Sequence, residues 1–464
     1  MNLKQHTISK TVSLSGVGLH TGIDTTMKFL PAKPGHGIKF QRVDLEHEPT
    51  VDADVDNVVD LSRGTTIEQS GARVATVEHV MAALTGMQID NVLIQLDGPE
   101  PPIMDGSSSA YVNILKEAGA EEQNALRHFF EVQDSIFYRD PSRDVEIAAL
   151  PLDDFRVTVM IDYNSPVLGS QHATLTDITQ FEKEIASCRT FCFLHELEML
   201  HKNNLIKGGD LNNAIVVVDR KVENHELENL AKLFNKPKVE VKKEGILNNV
   251  ELRYKNEPAR HKLLDVIGDV ALCGRPVKAQ ILAARPGHAA NVAFAKKLKK
   301  AMKDAEKNNI PKYDPNLPPV LDINQISNIL PHRYPFLLID KIIHLDDSSV
   351  SGIKNVTKNE SFFQGHFPDN PVFPGVLQIE VMAQIGGILV LSTVPDPENY
   401  WTYFLSIEGF KFRKMVIPGD TLIIRCELMA PIKRGIAKMY GKGYVGKNLV
   451  CEGTMVASIV RKEI

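Results

Sequence analysis

The chain is poor in cysteine and tryptophan, with five of the first and one of the second in 464 residues. Cys188, Cys192, Cys273, Cys426 and Cys451 form no Cys-x-x-Cys pair, so neither a structural zinc module nor a disulfide framework is signalled. No apolar run approaches the length of a membrane span. The first residues, Met1 to His6, lack the apolar core of a secretory signal, so a cytoplasmic chain is expected. Neither sign of charge dominates. A formal net charge of -5 argues against nonspecific nucleic-acid binding, and the basic run from Lys297 to Lys300 reads as a solvated helix face. Two catalytic fingerprints are also missing, the His-Glu-x-x-His of zinc peptidases and the Gly-x-Ser-x-Gly elbow of serine hydrolases. The length and the 43% hydrophobic content are those of a globular protein of two or three domains.

What is present centres on Arg260-His261-Lys262-Leu263-Leu264-Asp265-Val266-Ile267-Gly268-Asp269. Read as a helix, it places Leu263, Leu264, Ile267, Val270 and Ala271 on one apolar stripe. His261, Asp265 and Asp269 recur every fourth residue and stack in a row on another face. Taken alone, that row reads first as a solvated face with His261 and Asp265 as an ordinary i, i+4 pair. A divalent cation is the other reading, since a His nitrogen and an Asp oxygen one turn apart can reach one Zn²⁺.

Residues 7–60 are strand-like, and Gly16, Gly18 and Gly22 around Leu19-His20-Thr21 predict a tight loop. Thr76 to Leu84 reads as the start of a helix, with Thr76 as N-cap and Gly86 as stop, and with Glu78 and His79 in the first turn. An acid in a first turn suits the helix dipole; the sharper alternative makes His79 a metal ligand with Glu78 beside it as proton acceptor. Pro102 to Tyr111 reads as the end of a strand, a turn, and a helix opened by serines. A second strand-rich layer begins near 128–163. Arg189 to Phe193 precedes a helical stretch at 194–202, and Ala214 to Asp219 is a buried-strand candidate. Residues 223–256, rich in Lys, Glu and Asn, read as a solvent-facing excursion. Beyond the central helix, Gly287 permits a backbone conformation that presents His288, close in sequence to the spare carboxylate of Asp269.

Together, these motifs carry a family resemblance. Residues 1 to about 305 closely resemble the UDP-3-O-acyl-N-acetylglucosamine deacetylases of lipid A synthesis. The matching stretches are Gly16 to Gly22, Thr76-Val77-Glu78-His79, Met104-Asp105-Gly106-Ser107, Ser187 to Phe191, Arg260 to Asp265 and Gly287 to Asn291. The resemblance implies Zn²⁺ held by His79, His261 and Asp265, with a fourth position open to water. It further implies two α+β layers whose helices face each other across the metal. Glu78 would take the water's proton and Thr190 would help hold the oxyanion. His288, oriented by Asp269, would protonate the leaving amine. Lys262 would suit the diphosphate of UDP-3-O-acyl-N-acetylglucosamine, and Phe191 a sugar or base face.

From Lys303 to Pro319 the composition turns charged and then proline-rich, a semi-rigid linker that puts the domain boundary near 305–320. Within the remaining stretch, Phe363 to Val376 is a Gly/Pro-rich loop, and Leu377 to Leu391 is apolar on nearly every face, hence a buried helix. Glu380 inside it is either a satisfied core carboxylate or a catalytic acid, and His366 lies on the loop before it. Strand-like segments flank this helix, the hot-dog arrangement. Residues from about 320 to 464 resemble the 3-hydroxyacyl-acyl-carrier-protein dehydratases. The resemblance rests on Leu330 to Asp340, Gly365-His366-Phe367-Pro368 and Phe373 to Glu380. It implies that His366 removes the α-proton and that Glu380 of a neighbouring subunit protonates the departing hydroxyl. The amide of Gly375 would polarise the thioester carbonyl. Acyl carrier protein is then a partner, and a homo-oligomer is expected, a dimer at least and a trimer of dimers by the resemblance.

The expected fold class is thus α+β, a two-layer, repeat-like deacetylase fold followed by a hot-dog. The expected division is 1–305 (subdomains about 1–125 and 126–305), a linker at 306–319, and 320–464. The expected function is a bifunctional enzyme, a zinc amidase joined to a dehydratase. A thioesterase on the hot-dog half, or one half serving only as a scaffold, are the rivals.

Overall fold

The computed structural model describes residues 4–62, 64–196, 207–208, 211, 213–233, 238–242, 245–247, 250–308, 310–311 and 313–462. The chain divides into two compact units, Met1–Lys303 and Asp304–Ile464.

The first unit uses one topology twice. Its front half comprises β1 (Val12–Val17), β2 (Asp24–Pro31), β3 (Ile38–Arg42), β4 (Thr50–Asp52), α1 (Glu78–Gly86), β5 (Val92–Leu96) and α2 (Ser109–Ala118). Its back half comprises β6 (Ile136–Asp140), β7 (Val145–Leu150), β8 (Phe155–Asp162), β9 (Ser170–Leu175), α3 (Glu257–Ala271), β10 (Val277–Ala284) and α4 (His288–Asn308). The strand orders are β1-β2-β5-β3-β4 and β6-β7-β10-β8-β9. In each sheet the last strand lies parallel to one neighbour, β5 to β3 and β10 to β8, and the other pairings of this path are antiparallel. Alternating side chains explain the layering. Along β8, Phe155, Val157, Val159 and Ile161 are buried while Arg156 and Met160 face out.

In each half one helix comes just before the last strand and one just after it. The two preceding helices, α1 and α3, pack against each other. α1 is buried nearly all round, through Val80, Met81, Ala82, Ala83 and Leu84. α3 is buried along Leu263, Leu264, Val266, Ile267 and Val270, and its polar row His261, Asp265 and Asp269 is buried too, each at most 1% exposed. That rules out a solvated face for the row. The contact turns on Gly268, where a Cβ would lie 2.1 Å from the Glu78 carbonyl oxygen.

Several local expectations need correction. Thr76 is not the N-cap of α1, which starts at Glu78 after Val77 with no side-chain cap. Thr76 sits at φ 54° and its hydroxyl donates to buried Glu100 (2.8 Å), which also accepts from Thr21 and the His20 N–H. The burial of that carboxylate explains the capture of the hydroxyl. Residues 223–256 are not simply a solvated excursion. Asn224–Leu233 is a helix, and Leu230 packs with Val216, Val218, Val239 and Leu247. The unusual backbone near His288 belongs to Arg285 (φ 52°) and not to Gly287. Lys299, inside the basic run, is 15% exposed and pairs with Asp54 and Asp56. Of the helix expected at 194–202, Leu194 to Glu196 are helical and 197–202 lie outside the described residues.

The second unit contains α5 (Ile323–Ile329), β11 (Lys341–Leu345), β12 (Ser349–Asn355), α6 (Gly375–Leu391), β13 (Tyr400–Phe412), β14 (Thr421–Leu428), β15 (Ile436–Val445) and β16 (Asn448–Arg461). Its sheet is antiparallel, in the order β11-β12-β14-β15-β16-β13, and curls around α6. Val381, Met382, Ile385, Ile388 and Leu389 of α6 fill the core with Ile424, Cys426, Met439 and Met455 of the sheet.

The Gly268 contact gives a stability prediction. G268A should destabilise the first unit by about 1–3 kcal/mol, the usual cost of overpacking a tight contact. G287A should leave stability unchanged, because nothing lies within 4 Å of a Cβ there. Thermal unfolding of the full chain compares the two, and equal midpoints would remove the helix contact from the account.

Candidate active site

The α1–α3 contact brings residues from both halves into one buried cluster. His79 comes from the first turn of α1, and His261 and Asp265 lie one turn apart on α3. One donor atom from each lies within 4.8 Å of the others. Asp265 Oδ1 is 3.3 Å from His261 Nε2 and 3.8 Å from His79 Nε2, yet it is buried without a hydrogen-bond partner. His261 Nδ1–H donates to the Cys188 carbonyl (3.0 Å), which turns the Nε2 lone pair toward the cluster. Burial and the neighbouring His261 ring depress His79 to about 3, and burial lowers His261 as well, so both imidazoles are neutral near pH 7. Burial alone would raise Asp265, but the Lys262 ammonium and the surrounding histidines hold it well below the usual carboxylate range. Two neutral imidazoles and one carboxylate whose Oδ1 is orphaned are a donor set that fits a divalent metal.

A second layer of titratable groups surrounds the cluster. Burial pushes Glu78 up to about 7, against the pull of His288 and with help from Asp269 and Asp265. The Thr65 N–H donates to Glu78 Oε2 (2.9 Å). His288 opens α4, and its Nδ1–H donates to Asp269 Oδ2 (2.9 Å). Its Nε2 faces inward, 3.8 Å from Glu78 Oε1 and 3.9 Å from Asp265 Oδ2. Burial would lower His288, but Asp269, Glu78 and Asp265 outweigh it and raise the ring to about 9. The site therefore sets a carboxylate that can lose its proton near neutrality beside an imidazolium that keeps its own.

Lys262 Nζ bonds Asp265 Oδ2 (2.9 Å) and lies 5.7 Å from the centre of the Phe191 ring, against which Tyr163 packs edge-on. Thr190 precedes Phe191. Its N–H donates to the Gly106 carbonyl and its own carbonyl accepts from Ile215. Arg189 is clamped by Glu257, the first residue of α3, which also accepts from the Arg253 N–H in the segment before the helix. This buried pair fixes the Cys188–Phe191 segment against the helix that carries the cluster. Sequence reading missed Thr65, Asn291, the Cys188 carbonyl, the Arg189–Glu257 pair and Gly268. Cys188, Arg189 and Asn291 lay in the motif stretches that carry the resemblance, but nothing in the sequence pairs residues so far apart. A cavity of about 280 Å³ lies elsewhere in this unit, walled by Met81, Phe155, Ile178, Ile267 and Val270, and none of these site residues lines it.

In the second unit, His366 Nδ1–H donates to the Val372 carbonyl (2.9 Å), which leaves Nε2 available. Glu380, on the second turn of α6, accepts from Gln384 (2.8 Å) and faces His332 Nε2 at 3.5 Å. Gln384 is itself locked by the Leu338 N–H and the Phe336 carbonyl. Gly375 opens α6, so its amide stands at the positive end of the helix. No hydrogen bond or ion pair joins His366 to Glu380 within the chain, though both are described. Glu380, His332 and Gln384 line a cavity of about 80 Å³ with Ala383, Val390 and Phe404.

The geometry defines a class of protein: a repeated α+β unit with a metal-type cluster at its seam, joined to a hot-dog unit with a His and a Glu on its helix and loop. The UDP-3-O-acyl N-acetylglycosamine deacetylase family profile matches residues 5–239 and 227–300, and the FabA-like domain profile matches 330–454. The chain belongs to the UDP-3-O-acyl N-acetylglycosamine deacetylase family, extended by a FabA-like domain. It is 50% identical to the bifunctional enzyme LpxC/FabZ of Bacteroides thetaiotaomicron, over 99% of this chain and 100% of that one. It is 48% identical to the enzyme of the same name from Chlorobaculum tepidum, over the full length of both. A Myxococcus xanthus UDP-3-O-acyl-N-acetylglucosamine deacetylase is 40% identical over 63% of this chain and 86% of its own.

Proposed function

We propose that the chain is a bifunctional enzyme. The first unit hydrolyses the acetamide of UDP-3-O-(3-hydroxyacyl)-N-acetylglucosamine, and the second dehydrates (3R)-3-hydroxyacyl-acyl-carrier-protein to the trans-2-enoyl product. The observation that carries the first activity is the buried His79–His261–Asp265 cluster with Glu78 and His288 beside it. Those three ligands are proposed to hold Zn²⁺. The chemistry a bound Zn²⁺ supplies is polarisation of the amide carbonyl and a more acidic attacking water.

The chain's own groups do the rest. Glu78 removes a proton from the water that attacks the carbonyl carbon. Thr190 offers its hydroxyl to the oxygen on which negative charge develops. His288 then gives its Nε2 proton to the departing nitrogen as the C–N bond breaks, leaving acetate and the free amine. Asp269 keeps the other ring nitrogen protonated and the ring oriented. Lys262 and Phe191 are proposed to meet the diphosphate and a sugar or base face.

In the second unit His366 takes the α-proton, Glu380 protonates the leaving hydroxyl, and the Gly375 amide polarises the thioester carbonyl. The reading places His366 and Glu380 of two different subunits in one site, as the resemblance to the dehydratases implies. The reading therefore includes a homo-oligomer, with a dimer as its minimum, and acyl carrier protein as a partner. It also includes a cytoplasmic location. No described helix is long and apolar enough to cross a membrane.

Acetate release should follow a bell-shaped pH profile. Glu78 acts ionised, so kcat/KM rises as pH climbs through about 7; His288 acts protonated, so it falls as pH passes about 9. E78A and H288A should each lower turnover by about 10²-fold or more with zinc still bound. A flat profile, or near-normal turnover in both variants, would contradict these roles. For the second unit, H366A and E380Q should each abolish dehydration. Mixing the two unfolded proteins and refolding them together should restore part of it, because a mixed dimer has one intact site. No recovery from mixed oligomers would place both groups in one chain.

A further inference from the structure

We propose that Thr65 is a positioning residue that joins Glu78 to the Asp269–His288 pair, a proposal that rests on the hydrolytic roles given to those three residues. Thr65 is completely buried and each of its polar groups is engaged. Its N–H donates to Glu78 Oε2 (2.9 Å), and its carbonyl accepts from the N–H of Val77, the residue before Glu78 (3.1 Å). Its hydroxyl donates to Asp269 Oδ1 (2.5 Å). The segment runs hard against the carboxylate, since a Cβ on Gly64 would lie 2.8 Å from Glu78 Oε1.

Thr65 and Glu78 belong to the front half of the first unit, and Asp269 and His288 to the back half. The Thr65 hydroxyl is therefore a side-chain bond across the seam of the repeat, made to the carboxylate that orients the proposed acid. Asp269 has no exposed surface. Oδ1 is held by Thr65, and Oδ2 accepts from both His288 Nδ1–H and Asn291 Nδ2 (2.9 Å each). Rotation of this carboxylate breaks three hydrogen bonds at once. With Oδ1 held, Oδ2 stays aimed at His288 Nδ1, the proton stays on that nitrogen, and Nε2 points at the cluster. The hydrogen bonds of Thr65 go to Glu78, Val77 and Asp269, none of them a proposed metal ligand, so it acts through Asp269 and Glu78.

The test compares T65V, which keeps the shape and loses the hydroxyl, with T65S, which keeps the hydroxyl. Both are made in the full chain, with zinc content and melting temperature checked. T65V should lower kcat for acetate release by about 10- to 100-fold with KM within about twofold, the usual scale for an outer-shell partner. T65S should stay within about threefold of wild type. A second readout needs no activity. In the zinc-free full chain, ¹⁵N-histidine NMR should show the His288 Nδ1–H signal, assigned by its absence in H288Q, in wild type and T65S but weakened or moved in T65V. Wild-type kcat in T65V, an equal loss in T65S, or an unchanged His288 signal in T65V would each overturn the proposal. If T65V does not fold, T65A against T65S makes the same comparison. No acetate release from the zinc-loaded wild type would fail the hydrolase reading instead, and the NMR comparison would still decide the role of Thr65.

Discussion

Two helices meet with only a glycine between them. At Gly268 the backbone of α3 comes so close to the carbonyl of Glu78 that no side chain fits, and from that approach the geometry of the first unit follows. His79 on one helix and the His261–Asp265 pair on the other reach one point because their axes are this close. The repeat supplies the symmetry, since each half delivers the helix that precedes its last strand. Neither half holds the cluster alone, so the site is a property of the seam.

The seam also concentrates charge where water is scarce. Glu78, Asp265, Asp269, His79 and His261 are all at most 4% exposed. Burying so many ionisable groups is tolerable only when each has a partner or is neutral. Lys262 offsets Asp265, His288 offsets Asp269 and Glu78, and His79 and His261 are kept neutral chiefly by burial. Among these described carboxylates, the buried oxygen without a hydrogen bond is Asp265 Oδ1, and it faces the His79 and His261 imidazoles. The same physics that makes the arrangement costly sets a base near neutrality beside an acid that holds its proton.

Much of this was legible in the sequence because the signals were local. The i, i+4 spacing put His261, Asp265 and Asp269 in one row, the uniformly apolar run around Glu380 marked a buried helix, and the ordered motifs carried the resemblance to two enzyme families. What escaped were contacts between residues far apart in the chain. Thr65 and Asp269 are 204 positions apart, and nothing about a threonine before a strand announces a buried carboxylate across a repeat seam. Thr76 had the right neighbours for an N-cap and was drawn away by Glu100, a long-range competitor. Residues 223–256 looked solvated by composition, yet a few leucines sufficed to anchor a helix there. Gly268 stood in the central stretch with no role read for it, and its value lies in what the opposite helix brings to it.

The account stands or falls on whether the seam cluster is a working metal site. The most direct measurement is acetate release from a UDP-linked, 3-O-acylated N-acetylglucosamine by the full chain, before chelation, after it, and after zinc is added back. The account predicts release that disappears with the metal and returns with zinc while the fold stays intact. Release that survives complete removal of metal, or none from folded and zinc-loaded protein, would contradict it.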